Sequence, residues 1–371
     1  MESVCFKDNW EETIQRFDAW FHGKNHGRPI MVINAVRDDG DELFEPFTEK
    51  PFDDDRDIYV NMDKQFARRM NFYSKHKPMA EAHPQWTSIL GAGSMALYLG
   101  GSDPYFDPEC VWFEPLIDDY SKFLPLKFDP ENYWWKTHLD MLNRQVELAK
   151  NTDMLICMPD IVENIDIVSA MRGPQQCCMD VYDYPEELHQ AIGNVNDAFM
   201  TYYDEMHSII SRCGVNSYQA FDILGTGKTA KIQCDFSAMM SPEHYDEFVL
   251  PGLIEQCEKL DNIMYHLDGP EAICHADSIL SIEKLGVLQW THGAGNETPG
   301  NERWHGLYKK TVEAGKGLAI YFFPDDPIEQ SIYEADLLVK KFGGSRLFFQ
   351  FPTMPLKQAE QLLIKAEREW K

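Results

Sequence analysis

Positive charge is what this sequence has least of. Its 34 lysines and arginines face 61 aspartates and glutamates, a formal net charge of −27. Such a chain is repelled by a nucleic acid backbone and by an anionic membrane surface, so neither is an expected partner. An acidic small molecule is not excluded, because a local basic pocket can sit in an acidic surface. Long apolar runs are also missing: nothing approaches the ~18 residues of a membrane span. The stretch "MESVCFKDNWEETIQRFDAWFHG" is charged throughout and has no apolar centre, so a secretory leader is not expected. The 9 cysteines are odd in number and contain no C-x-x-C pair, which reads as reduced thiols and a cytoplasmic location. Internal repeats and low-complexity segments are absent.

What is present is a recurring alternation. At 371 residues the chain can bury a large core. Short apolar runs occur at 29–36, 85–90, 153–159, 230–236, 262–268, 286–291, 317–323 and 346–351, bounded by polar or Gly/Pro signals. Between most of them lie segments of helical period, such as "YPEELHQAIGNVNDAFMTYYDEMHSII" and "SPEHYDEFVLPGLIEQCEKL". Eight strands alternating with helices predict an α/β fold, a TIM (β/α)8 barrel with its site at the C-terminal ends of the strands. A doubly wound open sheet is the alternative. One single domain over 1–371 is expected, with an N-terminal helical extension over 1–28 and an aromatic capping loop over 100–135. A further apolar run, 216–224, lies too close to 230–236 for a parallel crossover and reads as a hairpin arm or an addition to the barrel. The acidic stretch 37–57 reads as a surface excursion.

Two glycine-rich stretches invite phosphate-binding readings. "GTGKT" (225–229) has Asp222 where a P-loop needs its first glycine, and "LGAGSMALYLGG" (90–101) has Ala96 where a dinucleotide fingerprint needs its third. Both read as turns.

The chemistry gathers at strand ends. In "YHLDGP", His266 and Asp268 are two residues apart, so an extended strand projects both to one face. A histidine held by a polar neighbour, with Asp268 capping the turn, is the bland alternative. Asp160 follows "ICMP", Asp235 ends "IQCD", Gln289, Trp290 and His292 end another run, and Tyr321, Asp325 and Gln350 end two more. Polar residues at one end of most strands are expected for an enzyme. Asp235, His266 and Asp268 are the candidate catalytic centre. Asp160, Gln289, Trp290, Tyr321, Gln350 and His83 are candidate substrate-binding residues.

The segments "CDFSAMMSPEHYDEFVLPGLIEQ", "NIMYHLDGP" and "MRGPQQCCMDVYDYPEELHQAI", with "NHGRPIMV" and "LGGSDPYF", resemble the uroporphyrinogen decarboxylase-like superfamily. The resemblance runs from about Trp10 to the C-terminal helix. It implies a TIM-type barrel and one of two activities. Decarboxylases of tetrapyrrole acids carry paired arginines near the N-terminus; here only Arg28 and Arg37 stand in the matching segment, among acids. The methyltransferase-type members move a methyl group between a corrinoid protein and a thiol or folate acceptor. Thiol-using members hold zinc through His-x-Cys and a later cysteine; His266 matches the histidine, and Asp268 stands where the first cysteine belongs. With that cysteine missing no tightly bound cofactor is expected; if a metal is held, zinc is the candidate ion and His266 and Asp268 the candidate ligands. No D-x-H-x-x-G cobalamin motif occurs, so a corrinoid is expected on a partner protein, to which the acidic surface offers a counterpart for a basic patch. A homodimer is a further expectation. In this reading His266 shuttles a proton at the reacting group, Asp268 orients it and Asp235 holds a cationic or N–H-bearing part of the substrate. The alternatives are a cofactor-free lyase or decarboxylase, and a non-catalytic binding barrel.

Overall fold

The protein is described as a computed structural model over residues 3–211 and 214–371. Six strands share one parallel ladder: β1 (Ile30–Val36), β2 (Thr229–Gln233), β3 (Asn262–Asp268), β4 (Val287–Thr291), β5 (Gly317–Tyr321) and β6 (Leu347–Gln350). Their spatial order is β1-β6-β5-β4-β3-β2. Met354–Pro355 extends the parallel pairing along β1, and His76–Ala80 pairs antiparallel on the other side of β1. The architecture is thus mixed α/β around a mostly parallel sheet. Strands β3 to β6 are almost wholly buried, as near-continuous apolar runs covered on both faces must be.

All eight expected runs contain a strand, but the ladder joins only six of them. Gln85–Trp86 and Leu155–Ile156 pair with one another in parallel, apart from the main sheet. Single bonds lead onward from this pair. The Met158 N–H donates to the Ser217 carbonyl at 2.9 Å, and the Asn216 side chain donates to the Thr229 carbonyl on β2 at 3.0 Å. The 216–224 run folds back on itself, Val215–Tyr218 pairing antiparallel with Ile223–Thr226 around a single 3-10 turn. Gly225–Lys228 is then a tight connection into β2, with Gly227 at φ 84 and the Lys228 N–H on Asp261. No helix follows it, so the P-loop reading has no structural basis.

Helices fill the crossovers where the sequence supplies start signals. Pro242–Phe248 begins with Ser241 accepting from the His244 N–H and with Pro242 in the first turn, where its missing N–H costs nothing. Leu250–Lys259, Ala276–Leu280, His305–Glu313 and Ile328–Phe342 complete the crossovers from β2 to β6. The expected N-terminal helix is Trp10–Phe21, and the 37–57 stretch forms no regular element until Asp55. Among the described residues no helix is long and apolar enough to cross a membrane.

The 100–135 segment packs beside the loop that follows Gln85–Trp86. Phe113 and Val111 lie against Gly91, and Phe113 also against Gly93, at the C-terminal end of that strand. Trp134 and Trp135 are buried, Trp134 tilted against Phe106 and Trp135 edge-on to Tyr98 and Tyr202. Trp112 is not covered: it stays 59 % exposed, paired across a two-residue hairpin with Tyr105. The segment expected to cap the site thus leaves Trp112 largely in water.

Candidate active site

Register alone assembles the centre. Gln233 on β2, His266 on β3 and Gln289 on β4 are direct partners, and Asp268 pairs with Thr291. Side chains alternate along a strand, so Lys231, Gln233, His266, Asp268, Gln289 and Thr291 share one face. Asp235 follows β2 as the first residue of a 3-10 turn. Ligand-capable atoms of Asp235, His266 and Asp268 all lie within 4.8 Å of one another, with both carboxylates solvent-accessible and the imidazole half-buried. The sequence reading brought these three together, and so does the fold.

The ring of His266 is fixed by Gln289. Nδ1 meets the Gln289 side-chain oxygen, and Gln289 Nε2 donates to Thr291 Oγ1 at 2.9 Å, which orients that amide. An oxygen acceptor on Nδ1 places the proton there and leaves the Nε2 lone pair free. Phe221 packs 4.9 Å from the ring, centroid to centroid. Burial, reinforced by the Lys231 ammonium, pulls the imidazole below its ordinary 6.5, so it is neutral at pH 7. The orienting role that the sequence reading assigned to Asp268 thus belongs to Gln289.

A buried ion pair lies below. Lys231 has no solvent-exposed side-chain surface and donates to Asp160 at 2.8 Å and to the Gln233 side-chain oxygen. Tyr218 donates to the same Asp160 oxygen at 2.7 Å. Gln233 passes the chain on, its Nε2 donating to Asp235 at 2.6 Å. Burial pushes Asp235 up to about 6 despite Lys231, with the negative charge of Asp268 adding to the effect. Asp235 keeps solvent contact although protein crowds its carboxylate closely enough to raise its pKa. Asp166 rises to about 6 by burial and by the charge of Asp235, and burial holds Glu163 well above the usual carboxylate range.

The other expected residues divide. Gln289 touches His266, and Asp160 connects to the centre only through Lys231 and Gln233. Tyr321 is on the same inner face of β5, its hydroxyl donating to the Phe221 carbonyl, and Gln350 is its register partner on β6. Trp290 is a correction: it neighbours Gln289 in sequence, so it faces the opposite side, buried against Trp304 with ring centroids 5.1 Å apart. His83 is another. It is buried under the N-terminal helix near Trp10 and Phe17, with Nε2 on Ser217 at 2.8 Å and Nδ1 on the Glu81 carbonyl at 3.2 Å. Both nitrogens are engaged, and burial drives its pKa down to about 4. Neither residue lines the site. Arg28 is likewise removed from any ligand, buried in ion pairs with Glu81 and Glu367.

Lys231, Gln233, Glu163, Asn164 and Asp166 belong to this neighbourhood and were absent from the sequence reading. A period-two reading of "AKIQCD" reveals the first two beside Asp235. The spacing of Asp160, Glu163 and Asp166 in "DIVENID" hints at one side of a turn, but nothing local says that it meets β2.

No protein-family model and no curated protein matches this chain. Among solved structures it is similar to a methyltransferase from Methanosarcina mazei, with a TM-score of 0.61 and 11 % identity, over 96 % of this chain and 98 % of that one. At that identity the likeness establishes the fold, a mixed α/β architecture extending over nearly the whole chain.

Proposed function

We propose that this chain is a single-domain TIM-barrel enzyme of the uroporphyrinogen decarboxylase-like group and that it transfers a methyl group between a corrinoid carried by a partner protein and a small acceptor, a thiol or a folate. In this reading the single bonds that follow the Gln85–Trp86 and Leu155–Ile156 pair complete the closure of the barrel. The observation that carries the reading is a neutral imidazole, locked by Gln289 with Nε2 free, beside two carboxylates within 4.8 Å. A methyl acceptor must give up a proton from sulfur or nitrogen when its new bond to carbon forms. His266 Nε2 takes that proton, and Asp235 or Asp268 stabilises the imidazolium that results. The corrinoid supplies the methyl group when bound. The similarity to a methyltransferase fold supports the same reading.

Decarboxylation of a polyanionic acid is the weaker alternative. Among the described residues, the lysine beside the centre, Lys231, is neutralised by Asp160, and Arg28 is consumed by Glu81.

The zinc expectation needs sulfur that this centre lacks among the described residues. Cys234 is buried at the alternate position between Gln233 and Asp235, and the Cys274 thiol points to the Glu271 carbonyl. A thiolate-ligated zinc therefore does not fit. The compact oxygen-and-nitrogen set of Asp235, His266 and Asp268 suits a divalent cation with an open position, which would supply Lewis-acid charge to a bound acceptor. With Nδ1 on Gln289, Nε2 would be the ligand atom in that form and would not take the proton, so metal analysis of the intact protein separates the two forms of the proposal. The test of transfer itself is the absorbance change of methylcobalamin on mixing with protein and acceptor.

A further inference from the structure

Strand β2 ends the hydrogen-bonded order of the main sheet, and among the described residues no strand pairs with its last residues on the outer side. Backbone groups in that position need partners, or they weaken the edge. Here side chains from one short segment supply them. The Gln233 N–H donates to Glu163 at 2.7 Å, and the Gln233 carbonyl accepts from the Asn164 side chain at 2.6 Å. The N–H groups of Asp235 and Phe236 donate to the two oxygens of Asp166, each at 2.8 Å. Gln233 Nε2 bridges Asp166, at 3.3 Å, and Asp235, at 2.6 Å.

We propose that Glu163, Asn164 and Asp166 are positioning residues for Asp235: they grip the end of β2 and, through the Gln233 amide, set the carboxylate of Asp235 against His266 and Asp268. The bonds of this segment fall on Gln233, Asp235 and Phe236, on either side of the Asp235 side chain, while at the start of β2 the Thr229 carbonyl accepts from Tyr203 and Asn216 instead. Asn164 adopts φ +52, the left-handed region that an asparagine tolerates better than most residues but still at a cost. That cost is offset where its side chain reaches the Gln233 carbonyl. The buried carboxyl group of Glu163 and the half-buried one of Asp166 complete the clamp, their desolvation offset by the backbone N–H groups they bind. The clamp has its effect one bond away from the reacting groups. It rests on the methyl-transfer reading for the reaction but not for the placement of Asp235.

Three variants test it by crystallography: Asp166→Ala, Asp166→Asn and Asn164→Gly. Asp166→Ala removes both acceptors, and the Asp235 carboxylate is expected to leave the group within 4.8 Å of His266 and Asp268. Asp166→Asn keeps one amide oxygen for the Asp235 N–H, so Asp235 stays in place. Asn164→Gly preserves the positive φ without the side chain, and the end of β2 is expected to shift as in the alanine variant. Methyl-transfer rates follow the same order, with a loss of roughly 100-fold in Asp166→Ala and near-complete rescue in Asp166→Asn. Asp235 unmoved in a folded Asp166→Ala, or moved equally by alanine and asparagine, overturns the proposal. Should Asp166→Ala not fold, Asn164→Gly decides by the same criterion, an unmoved Asp235 counting against the clamp. Absence of methyl transfer in the wild type overturns the proposed reaction only, since the crystallographic comparison needs no turnover.

Discussion

His266 and Gln289 face one another across β3 and β4 as register partners, and the imidazole Nδ1 binds the amide oxygen of Gln289. This pairing decides which nitrogen can do chemistry. Gln289→Glu replaces a neutral acceptor with a carboxylate and should raise the imidazole pKa, since a nearby opposite charge favours the protonated form. The pH–rate profile of that variant is expected to move to higher pH, with lost activity at pH 7 recovered under more alkaline conditions. An unshifted profile would mean that Gln289 does not set the protonation of His266.

In the wild type the imidazole is held below 6.5 by burial and by Lys231. Activity that needs the free base should therefore rise with pH through a midpoint below 6.5 and reach its plateau by neutrality. The stability sign is separate. A histidine with a depressed folded-state pKa contributes stability at high pH that is lost as pH falls through the unfolded value and below, because the unfolded chain takes the proton first. A rate profile rising only above pH 7 would contradict a depressed imidazole.

Asp166 has the opposite linkage. Its folded-state pKa is raised to about 6 from an ordinary 3.8. The stability linked to its proton is fully present below about 4 and is lost as pH rises through about 6. Asp166→Asn removes this dependence, so the stability of the variant relative to wild type should increase between pH 4.5 and pH 7.5. Urea unfolding at the two pH values measures it, and a constant difference would count against a buried, charge-coupled Asp166.

Lys231 and Asp160 form a fully desolvated cation with a mostly buried anion. Removing one partner strands the other, at about 3–5 kcal/mol. Lys231→Met is therefore expected to lower the unfolding free energy by about that much, and Lys231→Met combined with Asp160→Asn to recover much of it. Denaturant titration of the single and double variants gives the answer, and simple additivity would contradict a direct pair.

The strands and their parallel direction were legible because buried parallel strands are continuous apolar runs, and the ends of β2 and β3 were legible because period two puts His266 and Asp268 on one face. The same period, applied to β4, separates Gln289 from Trp290, so only one of them can face the site. His83 shows a different limit: an imidazole near a strand looks the same in sequence whether it lines a pocket or satisfies Ser217 and Glu81 in the core. The Glu163–Asp166 clamp was not legible at all. Its bonds run to a strand about 70 residues away, and a positive φ at a non-glycine residue leaves no reliable mark in the sequence.

The most direct measurement is methyl transfer from methylcobalamin to a thiol or a folate, followed by absorbance at pH 7.5 for the wild type and His266→Ala. The expected result is transfer by the wild type and a loss of roughly 10²–10⁴-fold in the variant, the usual worth of a general acid–base group, with a thermal midpoint within a few degrees of wild type. No transfer to either acceptor by the wild type, or a folded His266→Ala that retains the wild-type rate, would contradict a catalytic role for His266.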